Sequence, residues 1–201
     1  MKKDEKTIEL TEEDFEDVLP PTTLAHHLDN VLAAARSGKY SFAPWTPVIG
    51  LTGFGKTTII KDWLEFHRLK NWYISGVRPL SKVEVEYFPD PANEPSIRIV
   101  SNKELEDYFT PKKKKVNVIF SSQEIDAVDD QTVIVIDDYD RASEEVRKEL
   151  FNLVRRHWVV DPRADNENKI KVLKPLMLIV VIDNDNSDVL SQEEKDLFGM
   201  A

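Results

Sequence analysis

Residues 50–60 read GLTGFGKTTII, and they satisfy the pattern GxxxxGK[ST], with Gly50, Gly55, Lys56 and Thr57 in the required places. The pattern has a mechanism behind it. Glycines let successive backbone N–H groups turn toward one anion, and a helix that starts at the lysine adds the positive end of its dipole. Gly50, Thr52, Gly53, Phe54, Gly55, Lys56, Thr57 and Thr58 are therefore expected to cradle the phosphates of a nucleotide. Lys56 would reach the outer phosphates and act in catalysis, and the Thr57 hydroxyl would bind Mg²⁺. A glycine-rich strand-to-helix turn with no ligand is the competing explanation. Context weighs against it, because the apolar pair Val48-Ile49 precedes the loop and a helical pattern follows.

Working outward, Leu24, Leu28, Val31, Leu32 and Ala35 recur at helical spacing, with Thr22 or Thr23 available to cap the start and Gly38 to end the helix. Pro44 and Pro47 punctuate a loop, after which Val48 and Ile49 read as the end of a short buried strand. Lys56 to about Leu69 predicts a helix with Ile59, Ile60, Trp63, Leu64 and Phe66 as its apolar contacts. A strand is expected at Asn71–Val77, a hairpin or irregular excursion from Pro79 to Pro95, a helix at Ser101–Phe109 and a short strand at Val116–Phe120. The run Val133–Ile136 is continuously apolar, as in a strand covered on both faces, and stops at Asp137. Ser143 opens a helix with Val146, Leu150, Leu153 and Val154 on one face, and Leu176–Ile182 predicts another buried strand. Alternation of this kind predicts an α/β fold: a mainly parallel sheet with helices on both faces, in three layers.

Ligands of open α/β sheets sit beyond the carboxyl ends of the strands, and polar residues gather there again. Asp137 is expected to hold the magnesium opposite Thr57, and Asp138 to polarise an attacking water as general base. After LMLIVVID comes Asn184, with Asn186 as the alternative, placed to hydrogen-bond a γ-phosphate or the attacking water. A simple Asn-rich turn is the other explanation.

Composition narrows the classes. The chain has 201 residues, 41% of them hydrophobic, and a mean hydropathy of -0.42, which fits an ordinary globular protein. One core over residues 22–201 is expected, after a flexible acidic arm at residues 1–21 that ends in Leu19-Pro20-Pro21. No apolar run approaches a membrane span, and the absence of cysteine excludes disulfides and fits the cytoplasm. A net charge of -10 disfavours indiscriminate nucleic-acid binding, so nucleic acid enters only indirectly. The run Lys112–Lys115 reads as a solvated loop. His26, His27, His67 and His157 lack metal-site spacing, and no NKxD sequence follows the loop.

With these motifs in place the chain resembles the AAA+ P-loop ATPases, and among them the MoxR-like group with related bacterial and phage ATP-binding proteins. GLTGFGKT looks like Walker A, VIVIDDYDRAS like Walker B and LIVVIDN like the sensor 1 strand; LFNLVRRHWVVDP looks like the helix and hairpin before it. The resemblance implies a P-loop NTPase sandwich with an AAA+-like core, ATP and Mg²⁺ as cofactors, and a homo-oligomeric ring or partner protein. It departs from the family in three ways: Asp138 stands where Glu is usual, and neither the arginine-finger position nor the helical lid is expected within the chain. Arg141 is the preferred residue for an inter-subunit contact, ahead of Arg155 and Arg156. Two functions follow: an ATPase that remodels or assembles a client, weak in isolation, or a nucleotide-dependent binding module that hydrolyses slowly or not at all.

Overall fold

The structure is a computed structural model, and it describes residues 23–87, 112–163 and 170–200. In chain order its elements are α1 (Thr23–Arg36), β1 (Trp45–Gly50), α2 (Lys56–Phe66), β2 (Asn71–Ser75), β3 (Ser81–Tyr87), β4 (Lys112–Val118) and α3 (Ser122–Asp126). There follow β5 (Val133–Asp137), α4 (Glu144–Arg156), β6 (Trp158–Val160), β7 (Ile170–Val172), β8 (Met177–Asp183) and α5 (Gln192–Phe198). Short 3₁₀ turns follow β5 at Tyr139–Arg141 and β8 at Asn184–Val189. The acidic arm and the helix expected at Ser101–Phe109 lie outside the described residues.

Two apolar runs make the centre of the main sheet. β5 and β8 are buried at every position, which only a strand with neighbours on both edges and cover on both faces achieves. Among the described residues four strands form this sheet in the order β1-β8-β5-β2, with every pairing parallel. Strand alternation divides its side chains between two cores. Val133, Val135, Met177, Ile179 and Val181 face α1 and α2, where Trp63 and Leu28 are fully buried. Ile134, Ile136, Leu178, Val180 and Ile182 face α4 and α5. This is a three-layer, mainly parallel α/β sandwich, with two-stranded antiparallel ribbons β3-β4 and β6-β7 added to it.

Helix α4 forms as its sequence directs. Ser143 caps it by accepting from the Val146 N–H, acidic Glu144 and Glu145 fill the first turn, and Arg155 and Arg156 fill the last. Val146, Leu150, Leu153 and Val154 are all buried, each contributing roughly 1.5–3 kcal/mol relative to exposure.

Three local expectations need correction. β1 begins at Trp45 and runs through Pro47, whereas the prolines suggest a loop; among the described residues β1 is an end strand of the sheet, where a missing N–H is tolerated. The same position leaves Ile49 38% exposed. Helix α2 stops at Phe66 because Arg68 adopts a left-handed conformation with φ 50 and the Leu69 N–H bonds back to the Leu64 carbonyl, so Phe66 is exposed rather than a core contact. Lys112–Lys115 are not a loop but the first half of β4, paired antiparallel with β3 so that Glu84 stands opposite Lys115 and Glu86 opposite Lys113.

Candidate nucleotide site

Register sets the site. Gly50, the last residue of β1, is level with Asp183 of β8, and Ser75 of β2 is level with Asp137 of β5, two residues short of the β8 end, so the four parallel strands present their carboxyl ends, in two steps, on the edge where the loop between β1 and α2 lies. Within that loop Gly53 and Gly55 have φ 83 and 74, values that L side chains rarely adopt. Gly55 is also the N-cap of α2, so the first free N–H groups of the helix open onto the loop.

A cleft of about 340 Å³ lies here. Thr52, Gly53, Gly55, Lys56, Thr57 and Thr58 line one wall, and Asp137, Asp138, Asp140, Arg141 and Asp183 line the other. Lys56 Nζ donates to the Gly50 and Leu51 carbonyls, both at 2.8 Å, and to Asp183 Oδ1 at 2.6 Å. Thr57 Oγ1 lies 3.2 and 3.1 Å from the two oxygens of Asp137. Asp137 is buried, and its carboxylate also accepts from the Tyr73 hydroxyl and from the Asp138 N–H at 3.1 Å. Burial first, and the hydrogen bond to Asp137 second, raise the Tyr73 hydroxyl well above the usual phenol range, so it remains a donor.

Of the residues expected at the site, the loop residues, Thr57, Asp137 and Asp138 are brought together. Phe54 is 72% exposed and does not line the cleft. Nor does Asn184, which is exposed at the start of the 3₁₀ turn. Strand alternation gives the reason: Asp183 continues the Ile179 and Val181 face toward α2, and its neighbour Asn184 falls on the opposite parity. Asn186 is held by the buried Asp140, whose carboxylate accepts from Asn186 Nδ2 and from the Asp183 N–H, both at 2.9 Å. Arg141 lines the cleft, with Nη2 2.9 Å from Asp183 Oδ2 and Nε 3.6 Å from Asp138 Oδ1, and its side chain is partly exposed. Arg155 pairs with Glu193, and Arg156 lies over the Trp158 ring at 4.7 Å.

Asp183, Asp140 and Tyr73 are absent from the sequence reading. Asp183 carries the same signal as Asp137, an acid ending a wholly apolar run. Tyr73 carries none until β2 is laid beside β5.

The electrostatics of the cleft follow from this crowding. Burial alone raises the Asp183 pKa, but hydrogen bonds from Lys56 and Thr52, with the Lys56 charge and Arg141, outweigh it and hold the carboxyl below its ordinary value. Asp138 goes the other way, because burial and then the negative charge of Asp137 push its pKa up. A carboxyl with a raised folded pKa costs stability once pH rises through that value, and costs nothing below its unfolded pKa. Asp138→Asn is therefore expected to raise Tm at neutral pH, with the gain shrinking as pH falls through the carboxylate range. Calorimetry of both proteins across pH checks the sign, and a lower Tm for the variant at neutral pH would contradict it.

Among the described residues no helix is long and apolar enough to cross a membrane. No family model matches the chain, and no curated protein matches it. Among solved structures it is similar to Thermotoga maritima RuvB, described as a Holliday junction branch migration motor, with a TM-score of 0.43 and 16% identity over 87% of this chain and 42% of that one. A single-substitution mutant of the same RuvB gives a TM-score of 0.45 and 14% identity over 88% of this chain and 43% of that one. The chain thus spans less than half the length of these structures.

Proposed function

We propose that the chain is an ATP- and Mg²⁺-binding ATPase with an AAA+-like core, acting as a homo-oligomer or with a partner protein in remodelling or assembly. The supporting observation is the meeting of three elements: a glycine loop at a helix start, Lys56 in that loop, and Thr57 within 3.2 Å of the Asp137 carboxylate at the end of a neighbouring strand. Magnesium takes oxygen ligands, keeps several waters and is held by one or two protein groups plus phosphates. A threonine hydroxyl and one buried carboxylate suit it.

In this reading Lys56 and the N–H groups of residues 50–58 hold the phosphates, Thr57 and Asp137 hold the ion, and Asp138 orients and deprotonates the attacking water. The raised pKa of Asp138 suits a base, since a carboxylate that holds its proton more tightly accepts one more readily. Asn184 does not line the cleft that holds these groups, which leaves the expected phosphate contact at the β8 tip to Arg141, whose guanidinium Asp183 holds there. Kinship with the MoxR-like group, and residues 22–201 as one core, belong to the same proposal.

One observation favours the second reading, a binding module that hydrolyses slowly. The Asp138 carboxylate lies 3.6 Å from Arg141, and its backbone is held at φ 53, so a short side chain has little reach toward a water above the phosphate. Turnover measured across protein concentrations, for the parent and for Asp138→Asn, separates the two. Turnover that rises more steeply than concentration and is lost in the variant supports the assembling ATPase. Tight ATP binding with no turnover at any concentration supports the module, and no binding at all overturns both.

A further inference from the structure

We infer that Tyr73 is a positioning residue for the metal site: its hydroxyl fixes the Asp137 carboxylate and thereby sets the affinity for Mg²⁺ in the presence of nucleotide. The inference rests on the function proposed above and adds to it a residue on β2 that no glycine-loop or acid motif contains.

The geometry is specific. Tyr73 and Asp137 lie on the same face of adjacent parallel strands, with Tyr73 level with Val135 and its side chain reaching one pleat further to the end of β5. The hydroxyl donates to Asp137 Oδ2, the oxygen that also faces Thr57 Oγ1 at 3.1 Å. Asp138 N–H donates to the other oxygen at 3.1 Å, so Asp137 is held from three sides. The ring is half-buried against the Trp63 core, with the Lys61 ammonium 5.0 Å from its centroid, which leaves the hydroxyl few other positions.

These donors differ in task. Thr57 serves both the carboxylate and the ion, and Asp138 N–H moves with its own turn. Tyr73 alone approaches from a separate strand, so it holds the carboxylate whatever the loop does. A buried carboxylate without that donor can rotate about χ2 and present the wrong lone pairs to the ion's water shell. Groups that orient a metal-holding side chain typically change metal affinity 10- to 100-fold when removed.

The test uses the full chain and Tyr73→Phe, which keeps the ring, its packing and the Lys61 contact. Binding of a fluorescent ATP analogue is titrated with Mg²⁺, and Mn²⁺ binding in the presence of the same nucleotide is followed by paramagnetic resonance. The half-saturating concentration of either ion is expected to rise about tenfold, as for a comparable loss of metal affinity, while nucleotide binding in excess chelator stays at the parent's value and Tm falls only by the few degrees that one lost hydrogen bond to a buried carboxylate costs. Unchanged ion requirements in a variant whose parent binds nucleotide with Mg²⁺ would overturn the role of Tyr73 alone. A parent that binds no nucleotide at any Mg²⁺ concentration would overturn the proposed function, and this inference with it. A variant that loses metal-free nucleotide binding by the same factor as the ion requirement would show that the hydroxyl serves the fold and not the ion.

Discussion

Lys56→Ala is expected to weaken ATP binding by about 100-fold or more, to the point where titration calorimetry at ordinary protein concentrations detects no heat. The magnitude follows from what the ammonium offers: hydrogen bonds to charged oxygens contribute roughly 1.5–3 kcal/mol each, and about 1.4 kcal/mol is tenfold in affinity. Two such bonds to phosphate suffice. The ammonium already sits where it is needed, held by two loop carbonyls and by Asp183 with only 10% of its side chain exposed. Its removal also frees the loop, since the Gly50 and Leu51 carbonyls lose their common donor. Asp183 keeps Arg141 and Thr52 as partners, so the fold survives with a loss of about 1–3 kcal/mol, measurable by urea denaturation. Wild-type affinity in a folded Lys56→Ala protein would place the phosphates elsewhere.

Gly76→Ala is expected to damage both stability and turnover, although Gly76 touches no ligand. It follows β2, and its N–H donates to the Asp137 carbonyl at 2.7 Å, lashing the tip of β2 to the acid turn. A methyl group there would lie 2.2 Å from the Asp138 carbonyl oxygen and 2.8 Å from its carbon. Both are backbone atoms, so no side chain can swing aside and the turn itself must move. Overpacking of this kind costs about 1–3 kcal/mol and sometimes more. Asp138 already holds a left-handed conformation, so a displaced turn re-aims its carboxylate, and a misplacement near 1 Å costs about 100-fold in rate. Denaturation midpoint and turnover should fall together; parent-like values for both would show that the turn accommodates the methyl.

What the sequence made legible has a physical pattern. β5, β8 and α4 could be read because each solves its burial with its own residues: a continuous apolar run fits only a strand covered on both faces, and the α4 spacing makes one apolar stripe. The glycine loop could be read because its residue types are required at fixed offsets. Elements that depend on a neighbour were hidden. The lysines of β4 become a strand by pairing with β3, and Pro47 sits in β1 only because that strand ends the sheet. The same holds within the site. Asp137 follows from its own strand, while at the tip of β8 the parity set by its core faces puts Asp183 in the cleft and leaves the expected Asn184 outside its lining. Tyr73 reaches Asp137, and Arg141 reaches Asp183, through contacts across strands and turns that no single stretch encodes.

Glu194 carries a consequence of its own. It is buried in α5, closes the capping box of that helix with Ser191, accepts the Tyr139 hydroxyl at 2.7 Å and lies 3.4 Å from Arg147 Nε. Tyr139 is the residue after Asp138. The last helix is therefore bolted through one carboxylate to the turn that carries the acids, and a tug on α5 from outside is delivered to Asp138 through a rigid phenol ring. A displacement of α5 would therefore reach the cleft's acid turn through this carboxylate and ring, and a displacement of that turn would reach α5 by the same route.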